Sequence, residues 1–279
     1  MSVHLRSLHW SALEELRHEP IEKRIRATIG DETVVDTTRA LLVYEPKRVV
    51  PSYAIPDADI AGEVVSASIT GNALCDADLD LVAGRPVLDP RVPFSVHTAD
   101  GEVVVVRSAA AGREAAGFRV ADPELAGHVV LAFEDFDAWY EEDERNLSHP
   151  RDPFHRIDFV HGSRHVRIER DGVVLAESSR PVLVFEPPLP VRYYFPLDDV
   201  RTELLEASDL VTRCAYKGEP SYFSIAGQPD LAWGYREPLR DSAEITGRIA
   251  FFNERVDLFV DGELQERPVT PWSRRGHGG

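Results

Sequence analysis

The sequence predicts an all-β protein, mainly of antiparallel strands, built from two tandem copies of one domain. Three observations lead to this fold class. Most apolar segments are short β-branched or aromatic runs of strand length, separated by Pro, Gly and Asp-Gly turn signals. One residue pattern recurs along the chain at a nearly constant offset. The length of 279 residues is about twice that of an ordinary domain.

The repeat is clearest around one strand of each copy. Residues 42–46 (LVYEP) match residues 183–187 (LVFEP) at an offset of 141, and Arg39 matches Arg180 at the same offset. A second matched block follows later in the same order, where residue 125 falls on residue 245. Two blocks in one order indicate a duplication.

The chain is expected to consist of five segments: an N-terminal helical extension at 1–21, a first, degenerate β domain at 22–142, a linker at 143–162, a second β domain at 163–269 and a flexible tail at 270–279. The Ser-x-x-Glu pattern at Ser11 is typical of a capping box and predicts a helix to about His18. One short helix is expected in each copy. In the second copy it follows Asp198 and has Leu204 and Leu205 on its apolar side.

Asp-Gly pairs mark the expected hairpin turns. Residues 164–170 alternate polar and apolar side chains, an Asp-Gly pair follows at 171–172, and an apolar run resumes at Val173. This pattern predicts a β-hairpin. The Asp-Gly pairs at 100–101 and 261–262 are expected to form similar turns.

The composition excludes several functional classes. Lys and Arg number 31 against 48 Asp and Glu, and the net charge of −17 opposes binding to nucleic acid. Cys75 and Cys214 are the only cysteines, which excludes a cysteine-rich zinc site. No apolar run approaches the roughly 20 residues of a membrane span, and the first residues lack the apolar core of a signal peptide. We therefore expect a soluble cytoplasmic protein.

Several motifs resemble one known family. They are residues 180–186 (RPVLVFE), 192–196 (RYYFP), 212–218 (TRCAYKG), 230–233 (DLAW) and 249–257 (IAFFNERVD). Together they resemble the domain-of-unknown-function 427 family, and residues 149–156 (HPRDPFHR) resemble the linker of its tandem members. The spacing of the strands suggests a small antiparallel barrel or sandwich in each half. The resemblance implies a β-tent-like arrangement of antiparallel strands, related to zinc-bearing domains but without their cysteines here.

The family is sometimes labelled nucleotidyltransferase-like, and the residues give this label little support. Nucleotidyl transfer requires carboxylates that hold two Mg²⁺ ions, usually as Asp-x-Asp after an upstream Gly-Ser. The Asp-x-Asp triplets at 57–59 and 76–78 have no Gly-Ser at a suitable distance upstream. Short acidic triplets are also common in a chain with 48 acidic residues.

The strongest candidate for site chemistry is the segment 214–218 (CAYKG) of the second copy. As a strand it would place Cys214 and Tyr216 on one face and Lys217 on the other, with Gly218 permitting a tight turn. Lys217 would then bind an anion, or form a Schiff base if burial lowers its pKa. The alternative is a solvated lysine at the end of a strand.

Arg180 and Glu186 recur in the first copy as Arg39 and Glu45. A spacing of six residues places both on the same face of one strand. An inward ion pair that closes the barrel would explain them without any function. Alternatively, Arg180 clamps a carboxylate or phosphate with its planar guanidinium group.

Aromatic residues concentrate in the second copy and serve either as core or as the wall of a ligand pocket. They are Tyr193, Tyr194, Phe195, Tyr222, Phe223, Trp233 and Tyr235. Trp233 has no counterpart in the first copy, which favours a pocket in the second. The predicted ligand-binding residues are Arg180, Glu186, Tyr194, Lys217, Tyr222 and Trp233. The catalytic candidates are Lys217, Tyr194 and Cys214.

Four histidines within a short stretch invite a metal-binding interpretation. They are His149, His155, His161 and His165. Pro150 and Pro153 break any helix that would present them together, and neighbouring arginines repel a cation. We therefore expect no metal and no cofactor, and a role for this stretch in linker packing.

Three functions remain open at this stage. The first is binding of a small anionic or planar molecule in the second domain, by a monomer or homodimer. The second is an enzyme of unknown class that uses the same pocket or the seam between the domains. The third is a structural or interaction platform. Lys217 lying within about 8–10 Å of Arg180 or Trp233 in one concave pocket would favour the first two.

Overall fold

A computed structural model of the chain describes residues 2–67, 72–73, 79–82, 85–108, 112–225 and 227–273. The chain forms two compact units. The first comprises residues 1–80 and 86–152, and the second comprises residues 81–85 and 153–279. Apart from residues 81–85, the predicted copies at 22–142 and 163–269 each fall within one unit.

Strands account for most of the regular structure. Up to residue 146 they are β1 (Arg17–Pro20), β2 (Ile25–Ile29), β3 (Glu32–Thr37), β4 (Leu41–Tyr44), β5 (Ser52–Pro56), β6 (Glu63–Ser66), β7 (Asn72–Ala73), β8 (Asp80–Val82), β9 (Arg85–Val87), β10 (Val96–His97), β11 (Gly101–Arg107), β12 (Glu114–Val120), β13 (His128–Leu131), β14 (Ala138–Glu141) and β15 (Glu144–Asn146). Beyond it they are β16 (Asp158–His161), β17 (Val166–Arg170), β18 (Val173–Ser178), β19 (Val182–Phe185), β20 (Arg192–Tyr194), β21 (Glu206–Ala207), β22 (Ser221–Ile225), β23 (Gln228–Gly234), β24 (Ile249–Phe251), β25 (Asp257–Val260) and β26 (Glu263–Leu264). The predicted all-β, mainly antiparallel fold is confirmed.

The first unit packs a large sheet against a smaller one. The large sheet has the strand order β1-β4-β5-β13-β12-β11-β6, and the smaller has the order β15-β14-β2-β3. Ile25 and Trp139 from the smaller sheet meet Leu42 and Val104 from the larger in one core. The other face of the large sheet covers a second cluster that includes Phe118. The short sheet β10-β7 also belongs to this unit, and β8-β9 forms a separate two-stranded sheet within residues 80–87.

The second unit contains three sheets, with the orders β16-β19-β20, β18-β17-β25-β26 and β21-β22-β23-β24. Along β24 and the residue that follows it, side chains alternate between two cores, as strand geometry requires. Ile249 and Phe251 enter one core, whereas Ala250 and Phe252 enter the other. The second core also contains Trp233, and the candidate site lies beside it. Among the described strands, no sheet of either unit closes into a barrel.

The predicted N-terminal helix is displaced. The observed helix, α1 (Leu5–Ala12), ends where the predicted one begins. Ser11 does not cap a first turn, because its hydroxyl donates to the carbonyl of Leu8 in the last turn. The helix packs through Trp10, which is buried. The residues that follow pair as β1 with β4, and this pairing overrides the local capping signal.

The helix predicted after Asp198 is replaced by two 3₁₀ turns, at Leu197–Asp199 and Thr202–Leu204. Val200 lies between the turns in an extended conformation and forms a β-bridge with Ala176. This tertiary pairing interrupts the helical hydrogen bonds. The corresponding segment of the first unit is a single 3₁₀ turn at Asp57–Asp59.

Two of the three Asp-Gly pairs form the predicted hairpin turns. At 171–172 the φ angles are 50° and 79°, and at 261–262 they are 53° and 85°. Positive φ at both positions is the geometry of a type I′ turn, which joins β17 to β18 and β25 to β26. The prediction for 100–101 is wrong, because Gly101 begins β11 and the preceding β10 pairs in parallel with β7.

Regular structure extends into the predicted linker and tail. Within 143–162, β15 pairs with β14 and β16 pairs with β19. Within the tail, Thr270 and Pro271 are buried, and a 3₁₀ turn spans Pro271–Ser273. Residues 274–279 lie outside the described part of the chain.

Candidate functional site

The segment 214–218 presents its lysine inward from a closed turn. Cys214 and Gly218 exchange two backbone hydrogen bonds, with N–O distances of 2.9 and 3.0 Å. Gly218 has a φ of 96°, a conformation that favours glycine. The segment is therefore a turn and not the predicted strand. Lys217 is only 8% exposed, so it is not the solvated lysine of the alternative interpretation.

Lys217 forms a buried ion pair with Glu186, the residue that follows β19. Its Nζ donates to Oε2 of Glu186 at 2.5 Å, and the two side chains are 10% and 12% exposed. Burial alone would raise the pKa of Glu186, but the charge of Lys217 and the hydrogen bonds from His155 and Lys217 lower it to about 2. Burial acts to lower the pKa of Lys217, yet the charge of Glu186 leaves it raised. Both groups are charged at neutral pH.

His155 is the third polar member of the site. Its Nε2 lies 3.3 Å from Oε1 of Glu186, and its ring packs on Tyr216 with centroids 4.7 Å apart. His155, Tyr216 and Cys214 are all half-buried, so they form the solvent-facing edge of the site. We refer to His155, Glu186, Tyr216 and Lys217 as the Lys217 cluster.

An aromatic wall of Tyr194, Trp233 and Tyr235 lies behind the Lys217 cluster. All three are buried, and Tyr194 is only 1% exposed. Nε1 of Trp233 donates to Oη of Tyr194 at 2.9 Å, and the rings meet edge to face. Burial raises the pKa of Tyr194, and the charge of Lys217 opposes this rise. Tyr222, on β22, packs against the same aromatic core and hydrogen-bonds Thr212.

Arg180 lies apart from the Lys217 cluster, and the predicted ion pair between Arg180 and Glu186 is wrong. The guanidinium group donates to Asp199 at 3.0 and 3.1 Å, and the side chain is 63% exposed. Arg180 precedes β19 and Glu186 follows it, so the two residues do not share a strand. Arg180 lines an open surface cavity of about 430 Å³ with His165, Glu177, Ser178, Ser179 and Asp199.

The first unit contains the same contacts as this Arg180 region at the matched positions. In each unit an arginine and a hydroxyl residue bond to one aspartate: Arg39 and Thr37 to Asp59 in the first, Arg180 and Ser178 to Asp199 in the second. A contact set repeated in both units serves the fold in each.

Glu45, the counterpart of Glu186, has different partners. It accepts hydrogen bonds from Nδ1 of His97 at 3.0 Å and from the backbone amides of Thr98 and Ala99 at 2.7 and 3.1 Å. Burial raises the pKa of Glu45, but these bonds and the charge of His97 leave it lowered. Glu45 also lies 3.9 Å from Nε of the buried Arg48, so each unit buries a glutamate beside a cation, an arginine in the first and Lys217 in the second.

Residues 17–77 and 158–262 match the family model described as a domain of unknown function (DUF427). Together the matched segments cover more than half of the chain. This chain belongs to the DUF427 family. A search of curated proteins finds no match to the sequence. In the described part of this DUF427 protein, no helix is long and apolar enough to cross a membrane.

The four histidines at 149, 155, 161 and 165 of this DUF427 chain each contact a different residue. Their partners are Pro150 for His149, Glu186 for His155, Glu244 for His161 and Glu177 for His165. Within the described ranges, no three His, Cys, Asp or Glu side chains are grouped as metal ligands. In the 57–59 triplet, Asp57 pairs with Arg119 and Asp59 with Arg39. Cys75 and the 76–78 triplet lie outside the described residues.

His155 is a site residue of this DUF427 chain that was not among the predicted ligand-binding or catalytic residues. The histidine was grouped with three neighbours as a weak metal motif, although it stands within the 149–156 segment that resembles the family linker. β16 follows shortly after His155 and pairs with β19, the strand that ends beside Glu186. The resemblance of residues 149–156 to the family linker was the one sequence signal that could have pointed to His155.

Proposed function

We propose that the second unit binds a small planar molecule with an acceptor oxygen, a carbonyl or a carboxylate, at the Lys217 cluster. The observation that carries this proposal is that the buried Lys217 ammonium group has more hydrogen-bond donors than acceptors around it. An ammonium group has three N–H donors. Within the part of the chain that the structure describes, Glu186 is the one hydrogen-bond acceptor of Lys217. Leaving buried donors unpaired is costly, so a ligand oxygen is the natural partner for the others.

The surroundings of Lys217 suit such a ligand. Tyr216 and His155 offer two aromatic rings at the solvent-facing edge, and Tyr194 and Trp233 exclude water from behind. A polar contact in surroundings of low dielectric is stronger than the same contact in water. Buried polar groups beside aromatic walls are typical of small-molecule sites.

The enzyme hypothesis that uses Lys217 as a Schiff-base nucleophile receives less support. A nucleophilic lysine needs a lowered pKa so that the neutral amine is populated. Glu186 raises the pKa of Lys217 instead, which keeps the ammonium group charged. A charged ammonium donates hydrogen bonds and does not attack a carbonyl carbon, so binding is the function that the geometry supports best.

Compounds released from the purified, denatured protein should test this proposal by mass spectrometry. Wild type should release one compound in nearly stoichiometric amount, and Lys217→Met should lose it. The matched control is Lys47→Met, which removes a lysine that pairs with Glu14 in the first unit. Equal release from wild type and Lys217→Met would contradict the proposal.

A second readout covers the case in which no compound copurifies. The chain has three lysines, Lys23, Lys47 and Lys217, so ¹⁵N-lysine labelling gives three side-chain signals. Benzoate and benzamide, which differ in charge but share a planar ring and an acceptor oxygen, are the probes. At least one should shift the Lys217 signal alone, and a Lys217 signal unmoved by both would count against binding of this class.

A further inference from the structure

The C-terminal residues 268–273, which we call the strap, are fixed to a buried ion pair in the second unit. Oγ1 of Thr270 donates to Oε1 of Glu254 at 2.5 Å and accepts from the backbone amide of Trp272 at 3.2 Å. Ser273 closes the turn by accepting from the amide of Thr270 at 3.0 Å. A polar C-terminal segment is usually mobile unless such contacts hold it.

The ion pair beneath the strap is formed by Arg192 and Glu254. Two parallel hydrogen bonds of 2.7 Å join them, and both residues are 6% exposed. Burial raises the pKa of Glu254, but the hydrogen bonds and charge of Arg192 leave it lowered, so the pair is ionic. Burying two charges is tolerated when the geometry is bidentate and the remaining lone pairs are bonded. Thr270 supplies one such bond.

Three aromatic rings enclose the Arg192 guanidinium group. Its central carbon lies 5.5 Å from the ring centroid of Trp233, 5.7 Å from that of Phe252 and 5.8 Å from that of Trp272. Arginine at such distances is attracted to the ring faces. Trp272 comes from the strap, whereas Trp233 belongs to the aromatic wall of the Lys217 cluster. The strap and the wall therefore share one cation.

Trp233 connects the two regions directly. It packs on Phe252, with ring centroids 4.4 Å apart, and its indole N–H donates to Oη of Tyr194 in the aromatic wall. We propose that docking of the strap holds Trp233 in the orientation that meets Tyr194, and so sets the aromatic wall of the binding site. This inference rests on the proposed function for its purpose, but the coupling exists with or without a ligand.

Hydrogen exchange of the tryptophan indoles tests the coupling in ligand-free protein. Trp272→Ala removes the strap's ring, and Thr270→Val removes only its hydrogen bond to Glu254. In both variants the Trp233 indole N–H should exchange at least tenfold faster than in wild type. The Trp139 indole, which donates to the Phe133 carbonyl in the first unit, is the internal control and should not change.

Hydrogen exchange also distinguishes a general loss of stability of the second unit from a loss of Trp233 positioning alone. A variant that merely unfolds more often would also speed exchange of the backbone amides of β17, in the same unit. Faster exchange at Trp233 with unchanged β17 amides supports the proposal. Unchanged Trp233 exchange in both variants, or equal acceleration of Trp233 and β17, overturns it.

Ligand content then separates this inference from the proposed function. If a compound copurifies with wild type, Trp272→Ala should retain less of it although Lys217 is intact. Faster Trp233 exchange without any copurified or added ligand would support the coupling while the binding function failed. If both strap variants retain the ligand fully and Trp233 exchange is unchanged, the coupling proposal is contradicted. The proposed binding function is not affected by that result.

Discussion

Glu186 carries a charge in a place where burial alone would neutralise it. Water is replaced around the carboxylate by protein, which disfavours the ionised form, and Lys217 and His155 restore it. The same balance keeps Lys217 positive. Each charge therefore depends on its partner: without Glu186, Lys217 loses its ion pair, and without Lys217, the buried Glu186 keeps only its contact with His155.

The lowered pKa of Glu186 predicts loss of stability in acid. Its pKa is about 2 in the folded protein against an ordinary value of 4.5. Because the folded value is the lower one, the stabilisation is complete above about pH 5 and is lost as the pH falls towards 2. We expect the contribution to be about 3 kcal/mol, since one pKa unit corresponds to about 1.4 kcal/mol.

Urea unfolding between pH 7 and pH 2 checks this expectation. The difference in unfolding free energy between wild type and Glu186→Gln should shrink as the pH falls below 5. Glu206→Gln, at an exposed glutamate of the same unit, is the control and should follow wild type throughout. A difference that stays constant across the range would show that the Glu186 charge does not contribute as argued.

At the scale of structural elements, the turn at 214–218 decides where Lys217 points. The two hydrogen bonds between Cys214 and Gly218 close the turn, and the positive φ of Gly218 makes the closure possible without strain. A β-carbon at Gly218 would approach no atom closer than 3.5 Å, so any cost of substitution arises from the backbone.

Gly218→Ala should therefore destabilise the protein and also disturb the lysine. A non-glycine residue with this φ costs about 1–2 kcal/mol. Gly172→Ala is the matched control, because Gly172 has a φ of 79° and open space around it in a hairpin turn. Both variants should lose similar stability in urea, but only Gly218→Ala should shift the ¹⁵N signal of Lys217. A Lys217 signal unmoved in Gly218→Ala would show that the turn does not position it.

At the scale of the whole molecule, each unit has cores and polar contacts of its own. Asp59 holds Arg39 and Thr37 in the first unit, and Asp199 holds Arg180 and Ser178 in the second. Repetition of this set without repetition of Lys217 separates what serves the fold from what is a candidate for function. It also makes the independent opening of the two units testable in solution.

Asp59→Asn should reduce the stability of the first unit only, and Asp199→Asn that of the second unit only. Loss of the carboxylate charge weakens the bond to arginine, and none of these contacts leaves its own unit. Hydrogen exchange read by mass spectrometry should show faster exchange within 22–142 for Asp59→Asn and within 163–269 for Asp199→Asn. Acceleration that spreads equally across both ranges would mean that the copies do not open independently.

The sequence by itself determined the strand-rich fold class and two hairpin turns, because alternating apolar residues and Asp-Gly pairs act on neighbours a few residues away. It also marked Lys217 and Trp233, which have no counterpart in the first copy. The helix predictions were wrong where the backbone pairs instead with a strand that is distant in sequence. The helix predicted from the Ser11 capping box is absent, and β1 pairs with β4 in the residues that follow. The helix predicted after Asp198 is interrupted by the bridge between Val200 and Ala176.

Only the tertiary structure decided which charges meet. Spacing along the chain favoured Arg180 as the partner of Glu186, but Lys217 and His155 reach it from two other segments, each 31 residues away. Which side chains converge depends on the path of the loops between strands, which no local pattern encodes. The burial that gives Lys217 its unpaired donors arises from the same packing, so the candidate site is a property of the folded unit.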